Sequence, residues 1–287
     1  MGDHSTVDLA ALLRDPPHAE VTSRKEQPMG QIDSRAGQTA QAIWSAWTGG
    51  YRLTRLPDEI RPTNAHDGWA AQLALAELAG ASYGYKFAAT SKAGQAHIGV
   101  TRPLPGMLFA DFRRDPGAVL PSAGLHMRVV EAEFAFLMGR DVPSGATAAE
   151  VMDAVDTLHL AIEVPDSRFE HFERAGEPAL LADAACAGLF VLGPEVADWR
   201  ELDLRAAETE LWINGARAAT GRGANVLGDP RAALASMADQ LARFGTTLRA
   251  DQVITTGTTT VPPPIAPSDH VQAKFGPLGS VSISFAS

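Results

Sequence analysis

Apolar residues recur at helical spacing in two segments near the N-terminus. The segment AGQTAQAIWSAW follows Asp33 and Ser34, either of which can cap a helix, and it ends at a pair of glycines. A second apolar stripe runs through residues 64–80, where Asn64 occupies the position of an N-cap. The first part of the chain is therefore predicted to be helical.

From about residue 83 the pattern changes to short apolar runs separated by glycine and proline. The terminal segment, residues 270–285, alternates in strand fashion on both sides of a glycine-containing turn. We predict an α+β fold with a loose arm at 1–30, a helical region at 31–82 and a β-rich domain at 83–287. The other predicted strands lie in YGYKFAAT, RVVEAEFAFLM, LHLAIEVPD, AGLFVLG and ELWINGAR, and two later helices lie in TAAEVMDAVD and DPRAALASMADQLARFG.

Composition narrows the class of protein. The 287 residues carry a net charge of −10, which disfavours nucleic acid and anionic membrane surfaces as partners. A single cysteine, Cys186, excludes an internal disulfide framework and a zinc site built on several thiolates. The chain has no apolar run of about 18 residues, and its first residues do not resemble a secretory signal. We therefore expect a cytoplasmic protein.

The segment VVEAEFAFL, residues 129–137, carries the clearest chemical signal. Period 2 places Glu131 and Glu133 on one strand face, about 7 Å apart, together with three apolar residues, while the opposite face is wholly apolar. Two buried like charges are costly unless a cation compensates them. The alternative is a half-exposed strand with two solvated glutamates, and the apolar flanks leave both interpretations open.

A third carboxylate, Glu163, ends the apolar run LHLAIEVPD just before Pro165, which must break a sheet ladder. Three oxygen ligands with open coordination positions suit Mg²⁺ or Mn²⁺. Asp166 could instead serve only to cap the turn. The histidines are scattered, with no H-x-x-x-H pattern and no nucleophile elbow, so zinc hydrolysis and serine catalysis lack support.

Two further segments hold candidate site residues. Lys86 lies among apolar and aromatic neighbours, where it is either a snorkelling edge residue or a buried cation near carboxylates. The segment ITTGTTTVPPP could bind a substrate carboxylate through the backbone and hydroxyl groups of Thr256, Gly257 and Thr258. Its alternative is a plain strand that ends in a proline-rich loop.

These segments resemble one known family when they are taken together and in order. The motifs are GYKFAATSKAGQAHIGV, GMLFADF, VEAEFAFLMGRDV, AIEVPDSRF, AGLFVLG and FGPLGSVSISF. From about residue 35 to its end the chain resembles the 2-keto-4-pentenoate hydratase and oxalocrotonate decarboxylase branch of the fumarylacetoacetate hydrolase superfamily. The resemblance implies a helical N-terminal part packed on a mixed β-sheet roll, assembled as a homo-oligomer.

The resemblance also implies a site and a reaction. Glu131, Glu133 and Glu163 correspond to the family's Mg²⁺ or Mn²⁺ ligands, and Lys86 corresponds to a lysine beside the substrate, with a pKa expected to be lowered by burial and the cation. The implied activity is hydration of a 2-hydroxy-2,4-dienoate through a metal-stabilised enolate. Alternatives are a decarboxylase or C–C bond hydrolase acting on a related 2-keto acid, or a non-catalytic subunit associated with another enzyme of the pathway.

The chain departs from the family pattern at two places that we expect to contact substrate. Leu104 stands where the hydratases usually have an acidic residue and the related decarboxylases an apolar one. The family's usual D-N-x-S has become D-A-A-C, which ends at Cys186. Two polar groups that could orient substrate are thereby lost, so the predicted metal site is complete while the acid–base groups are not standard.

Overall fold

Six helices lie within the residues that the structure, a computed structural model, describes, namely residues 34–287. The predicted arm at 1–30 and the alternative cap Asp33 lie outside the described residues. No helix of the described part combines the length and the apolar character needed to cross a membrane. The helices are α1 (Arg35–Gly49), α2 (Ala65–Ala79), α3 (Lys92–His97), α4 (Ala148–Asp153), α5 (Glu177–Ala182) and α6 (Pro230–Arg243).

The two N-terminal helices begin where the sequence predicts. Ser34 caps α1 by accepting a hydrogen bond from the backbone N–H of Gly37 (3.0 Å). Asn64 caps α2 by accepting from the N–H of Asp67 (3.0 Å), and the Asp67 carboxylate accepts in return from the N–H of Thr63 (3.0 Å). This reciprocal pairing satisfies backbone donors that the first helical turn leaves unpaired.

Twelve strands form two sheets within the described residues. The strands are β1 (Ser82–Ala88), β2 (Leu104–Phe109), β3 (Arg113–Arg114), β4 (Val119–Leu120), β5 (Glu131–Met138), β6 (Val155–Val164), β7 (Leu189–Glu195), β8 (Glu208–Ile213), β9 (Ala216–Arg222), β10 (Val253–Thr258), β11 (His270–Lys274) and β12 (Ser280–Phe285). The order of the seven-stranded sheet is β2-β1-β10-β5-β6-β7-β3, and that of the five-stranded sheet is β4-β12-β11-β8-β9.

One predicted helix is too long, and two short helices were not predicted. The segment TAAEVMDAVD is helical only over α4, and β6 begins at Val155 because that residue pairs with Met138 of β5. Sheet pairing therefore overrides the local helical pattern. The unpredicted helices are α3 and α5, each only six residues long.

Strand β5 lies at the centre of the larger sheet, between β10 and β6, and both of its faces are buried. Phe134 and Phe136 belong to the main hydrophobic core, whereas Ala135 on the opposite face packs in a smaller apolar cluster. The buried-strand interpretation of this segment is thereby confirmed. The alternative of two solvated glutamates on a half-exposed strand is wrong.

A buried glutamine joins the helices to the sheet. Gln72 of α2 donates from Nε2 to the carbonyl oxygens of Pro105 (3.2 Å) and Leu181 (2.6 Å), and its Oε1 accepts from the N–H of Met107 (2.7 Å). A buried amide satisfied on both sides fixes α2 against β2 and α5. The predicted α+β architecture, with a helical N-terminal part packed on a mixed sheet, is confirmed.

We expect the substitution Asn64→Ala to lower the free energy of unfolding by about 1 kcal/mol, because the cap of α2 is lost. Asn64→Asp keeps an acceptor oxygen at the same place and serves as the matched control. Urea denaturation of the three proteins measures the difference. Equal stability of wild type and Asn64→Ala would show that this cap does not contribute.

Candidate active site

Three glutamates converge where β5 and β6 run side by side. The antiparallel register places Glu131 directly opposite Glu163, and Glu133 follows two residues later on the same face of β5. One carboxylate oxygen from each residue lies within 4.8 Å of the other two. Glu133 is 1% exposed and Glu163 is fully buried. The sheet register therefore assembles the carboxylate cluster that the sequence predicts.

Some oxygens of the buried carboxylates lack hydrogen-bond partners among the described residues. Glu133 Oε1 and Glu163 Oε2 accept no hydrogen bond, although both are removed from solvent. Glu133 Oε2 accepts a single long one, from the backbone N–H of Gly257 (3.3 Å). Buried oxygens left unsatisfied in this way call for a partner, and a hard divalent cation such as Mg²⁺ or Mn²⁺ prefers carboxylate oxygens. The donor set fits such an ion.

The pKa values of the clustered carboxylates are raised. Burial, together with the neighbouring carboxylates of Glu163 and Glu131, raises the pKa of Glu133 well above its usual range. Burial also raises the pKa of Glu131, and it raises that of Glu163 to about 7, against the opposing effect of Lys86. The protein holds these groups at a cost that a bound cation would offset.

Lys86 of β1 is a buried cation beside these carboxylates, not a snorkelling residue. Its Nζ lies 3.1 Å from Oε1 of Glu163 and donates to the carbonyl oxygen of Ala185 (3.0 Å). Burial alone would lower the pKa of Lys86, but Glu163 and then Glu131 raise it above its usual value. In this arrangement the carboxylates therefore outweigh desolvation, and the lowering expected from burial together with a bound cation stays a prediction.

A cavity of about 430 Å³ opens from Lys86 and Glu131. Its polar lining consists of hydroxyl groups, the thiol of Cys186, and the imidazole of His97, which packs edge-on against Phe172 (5.8 Å between ring centroids). Apolar walls complete it, among them Ile98, Met127, Val129, Phe172, Val261 and Pro262. One end of the cavity is thus charged and the rest is mainly apolar.

The five predicted substrate-binding residues divide into two groups. Thr258 and Cys186 line the cavity, and Gly257 lies at the cluster through its N–H. Thr256 instead turns into the sheet, donating its hydroxyl to the carbonyl of Phe134 (3.0 Å). Leu104 packs in an apolar cluster and does not line the cavity. The structure therefore brings three of the five to the site.

Cys186 contributes to the wall and is not a reactive thiolate. Burial, followed by the nearby Asp183 carboxylate, raises the pKa of the Cys186 thiol to about 12. Thiols react as thiolates, so a thiol in this state is a poor nucleophile at neutral pH.

Asp166 lies outside the carboxylate cluster and holds a loop. Its carboxylate accepts from the backbone N–H groups of His126 (2.7 Å) and Met127 (2.9 Å), and it pairs with Arg52 (2.6 Å). Asp166 therefore binds backbone N–H groups of a segment distant in sequence, and the interpretation that it caps its own turn is wrong. By holding this loop, Asp166 fixes Met127 at the cavity wall.

Sequence reasoning missed most of the cavity lining, including His97, Met127 and Phe172. These three come from a short helix, a loop and a 3₁₀ turn that reach the site only through tertiary packing, and no periodicity marks them. Ser91, which caps α3 by accepting from the N–H of Gly94 (3.0 Å), was the available signal for this element.

Comparison with known proteins gives the family of this chain. The family model described as Fumarylacetoacetate (FAA) hydrolase C-terminal matches residues 96–285. The chain belongs to this family. Within the FAA hydrolase family it is 32% identical, over 284 residues, to a 2-keto-4-pentenoate hydratase of Burkholderia vietnamiensis (strain G4 / LMG 22486), with 99% of this chain and 98% of that protein covered.

Two decarboxylases of the FAA hydrolase family are also similar. A 4-oxalocrotonate decarboxylase of Pseudomonas sp. (strain CF600) is 34% identical over 203 residues, covering 70% of this chain and 76% of that protein. The solved 4-oxalocrotonate decarboxylase from Pseudomonas putida G7, complexed with magnesium and adipate, superposes with a TM-score of 0.81 at 28% identity. That superposition covers 92% of this chain and all of the other.

We expect Glu133→Gln to abolish stabilisation by Mn²⁺, because a neutral amide fits the same space but is a poor ligand for a hard cation. In EDTA at pH 8 the variant should melt at or above the wild-type temperature, since one of three repelling carboxylates is gone. Thermal melts with and without Mn²⁺ measure both effects. Glu208→Gln makes the same chemical change at an exposed strand position and is the control. Unchanged Mn²⁺ stabilisation in Glu133→Gln would contradict the ligand assignment.

Ion binding should weaken as the pH falls through about 7, where burial places the pKa of Glu163. The ion binds the ionised carboxylate, so protons compete with it below that pH and are released when it binds. Calorimetric titration with Mn²⁺ at pH 6, 7 and 8 should show affinity rising with pH. Affinity independent of pH over this range would mean that the buried carboxylates are not the ligands.

Proposed function

We propose that this chain is a divalent-metal-dependent lyase that adds water to a 2-hydroxy-2,4-dienoate. The observation that carries the proposal is a buried cluster of three carboxylates, paired with one lysine, at the charged end of a mainly apolar cavity. The names of its relatives, 2-keto-4-pentenoate hydratase and 2-hydroxyhexa-2,4-dienoate hydratase, support this activity.

Glu131, Glu133 and Glu163 would hold Mg²⁺ or Mn²⁺. When bound, such a cation supplies Lewis acidity for negative charge that develops on the 2-oxo group of the substrate. The magnesium in the solved decarboxylase supports Mg²⁺ as the resident ion. Two unsatisfied carboxylate oxygens in this chain, on Glu133 and Glu163, supply the ligand atoms from within the described residues.

Lys86 has the position and the charge to act on the same substrate group. Its ammonium lines the cavity and is held between the Glu163 carboxylate and the Ala185 carbonyl. A preorganised cation in a water-poor site stabilises developing negative charge more than it would in water, and it can pass a proton. The apolar walls would hold the diene and limit the entry of bulk water.

The charge of the cavity favours a substrate with one carboxylate. Lys86 is the only lysine or arginine among the described lining residues. A second carboxylate, at the far end of a dicarboxylic acid, would find no lysine or arginine to pair with it, and His97 is the one other ionisable base among the described lining residues. Burying such a charge unpaired is costly, so the cavity suits an uncharged tail.

Decarboxylation of a related 2-keto acid is the second candidate, on the strength of two observations. The solved decarboxylase superposes closely on this chain. Leu104 is apolar, as in the decarboxylases of the resembled branch, and it lies fully within an apolar cluster. Leu104 does not line the cavity, but the apolar cavity walls would favour the departure of a carboxylate that leaves as CO₂, because it loses its charge.

The same proposal extends to the location, assembly and substrates of the protein. We place this enzyme in the cytoplasm as a homo-oligomer acting on small 2-keto or 2-hydroxydienoic acids. The resemblance to the hydratase branch supports this assignment, and association with a pathway enzyme is a further expectation.

A substrate panel separates the two candidate reactions. The protein loaded with Mg²⁺ is given 2-hydroxypenta-2,4-dienoate, 2-hydroxyhexa-2,4-dienoate and the dicarboxylic 4-oxalocrotonate. Loss of the conjugated dienol is followed by ultraviolet absorbance, and released CO₂ is trapped. The proposal predicts loss of the monocarboxylic dienols without CO₂. Release of CO₂ from the dicarboxylate as the main reaction would overturn it in favour of the decarboxylase.

For Lys86→Met we expect turnover to fall by roughly 10² or more, the usual scale for one positioned acid–base or electrostatic group. Binding of Mn²⁺ should persist, because the three carboxylate ligands remain. Lys274→Met, at a lysine packed over the Trp212 ring (4.0 Å), is the control and should leave turnover unchanged. Wild-type turnover in Lys86→Met would remove Lys86 from the mechanism.

A further inference from the structure

The backbone takes a rare conformation beside the candidate site. Ala184, Ala185 and Cys186 all have positive φ, at 47°, 50° and 62°. Residues other than glycine seldom enter the left-handed region, and successive ones do so more rarely still. A turn of this kind persists only where its surroundings hold it. We call residues 184–186 the left-handed turn.

The left-handed turn contacts Lys86 directly. The carbonyl oxygen of Ala185 accepts from Nζ of Lys86 (3.0 Å). Directly beneath, Gly106 of β2 pairs with Lys86, and a Cβ at Gly106 would lie 2.0 Å from the carbonyl oxygen of Ala184. The turn therefore packs tightly on the strand that flanks Lys86, with no room for a side chain between them.

A buried arginine clamps both ends of the turn. Arg168 is 1% exposed, and its Nη1 donates to the carbonyl oxygen of Ala187 (2.6 Å). Its Nη2 donates to the carbonyl oxygen of Asp183, and its Nε donates to the Asp183 carboxylate. The guanidinium also stacks on the ring of Trp47, 3.8 Å from the centroid. One planar group thus fixes the residues immediately before and after the turn.

We propose that Arg168, together with Asp183, is a positioning residue for Lys86, acting through the left-handed turn. The inference rests on the proposed function, because it assigns Lys86 to the reaction. A lysine at 168 would keep the positive charge beside Asp183 but lacks the rigid fork that reaches both ends of the turn. Once released, the turn relaxes towards ordinary backbone angles, and the Ala185 carbonyl no longer holds Nζ.

A double-mutant cycle tests the link between Arg168 and Lys86. Arg168→Lys should lower turnover by about tenfold or more, with KM little changed, because a small misplacement of a reacting group costs rate. In the Lys86→Met background the same change should have almost no further effect, since two residues acting through one contact are not additive. Equal losses in both backgrounds would overturn the proposal and leave Arg168 with a structural role alone.

Cys186 provides a readout that needs no substrate. It is the only cysteine of the chain, is 7% exposed, and lies within the turn. Release of the clamp should speed its alkylation by iodoacetamide by roughly tenfold or more. Lys86→Met should also speed alkylation, and the double variant should add little. The alkylation rates of the wild type, the two single variants and the double variant form a second cycle. If the substrate panel shows no turnover while the effects on alkylation are non-additive, the proposed function fails and the coupling between Arg168 and Lys86 stands.

The matched control is Arg231→Lys, at another arginine that donates to two backbone carbonyls, those of Trp199 (2.9 Å) and Leu202 (3.0 Å), away from the turn. It should change neither turnover nor Cys186 alkylation. If Arg168→Lys does not fold, Asp183→Asn tests the same clamp with an uncharged partner of the same shape. Unchanged turnover and unchanged alkylation in either folded variant would overturn the proposal.

Discussion

The site depends on the repulsion among three clustered carboxylates, two of them buried, which Lys86 compensates only in part. Glu131, Glu133 and Glu163 are brought within a few ångströms of one another by the pairing of β5 with β6. A single ammonium cannot cancel three ionised carboxylates, and burial, with the neighbouring carboxylates adding to it, raises the pKa values of Glu133 and Glu163. A divalent cation is the partner that this arrangement requires.

The rest of the fold supports that cluster in layers. Gln72 fixes the second helix on β2 and α5, and α5 leads directly into Asp183 and the left-handed turn. Arg168, three residues after Pro165, holds the turn from the loop that follows β6. Glu163 and Arg168, which holds the turn beside Lys86, thus lie in one continuous stretch of chain.

Strand periodicity explains why the cluster could be predicted. Alternation fixes which side chains share a face, so Glu131 and Glu133 were predicted to share one, and they do. Burial of this strand was one of two interpretations that the sequence left open, and the structure confirms it. The same logic could not decide whether Lys86 is buried, because that depends on the turn packed over it. Nor could it place Phe172, since a loop position has no period.

Leu104 shows the limit of carrying a motif over by position alone. Its departure from the hydratase pattern suggested a contact with substrate, yet its side chain packs with Leu180 and Ala185 beneath the cavity. The effect of that position on the reaction would have to pass through the left-handed turn, which shares this apolar cluster.

Anomalous diffraction from crystals grown with Mn²⁺ tests the central claim most directly. The account predicts one strong manganese peak among Glu131, Glu133 and Glu163, about 2.2 Å from a carboxylate oxygen of each, as expected for a small octahedral cation with oxygen ligands. Lys86 should remain beside Glu163, outside the coordination shell. A structure with no manganese at the cluster, its carboxylates satisfied by Lys86 and protons alone, would contradict the account.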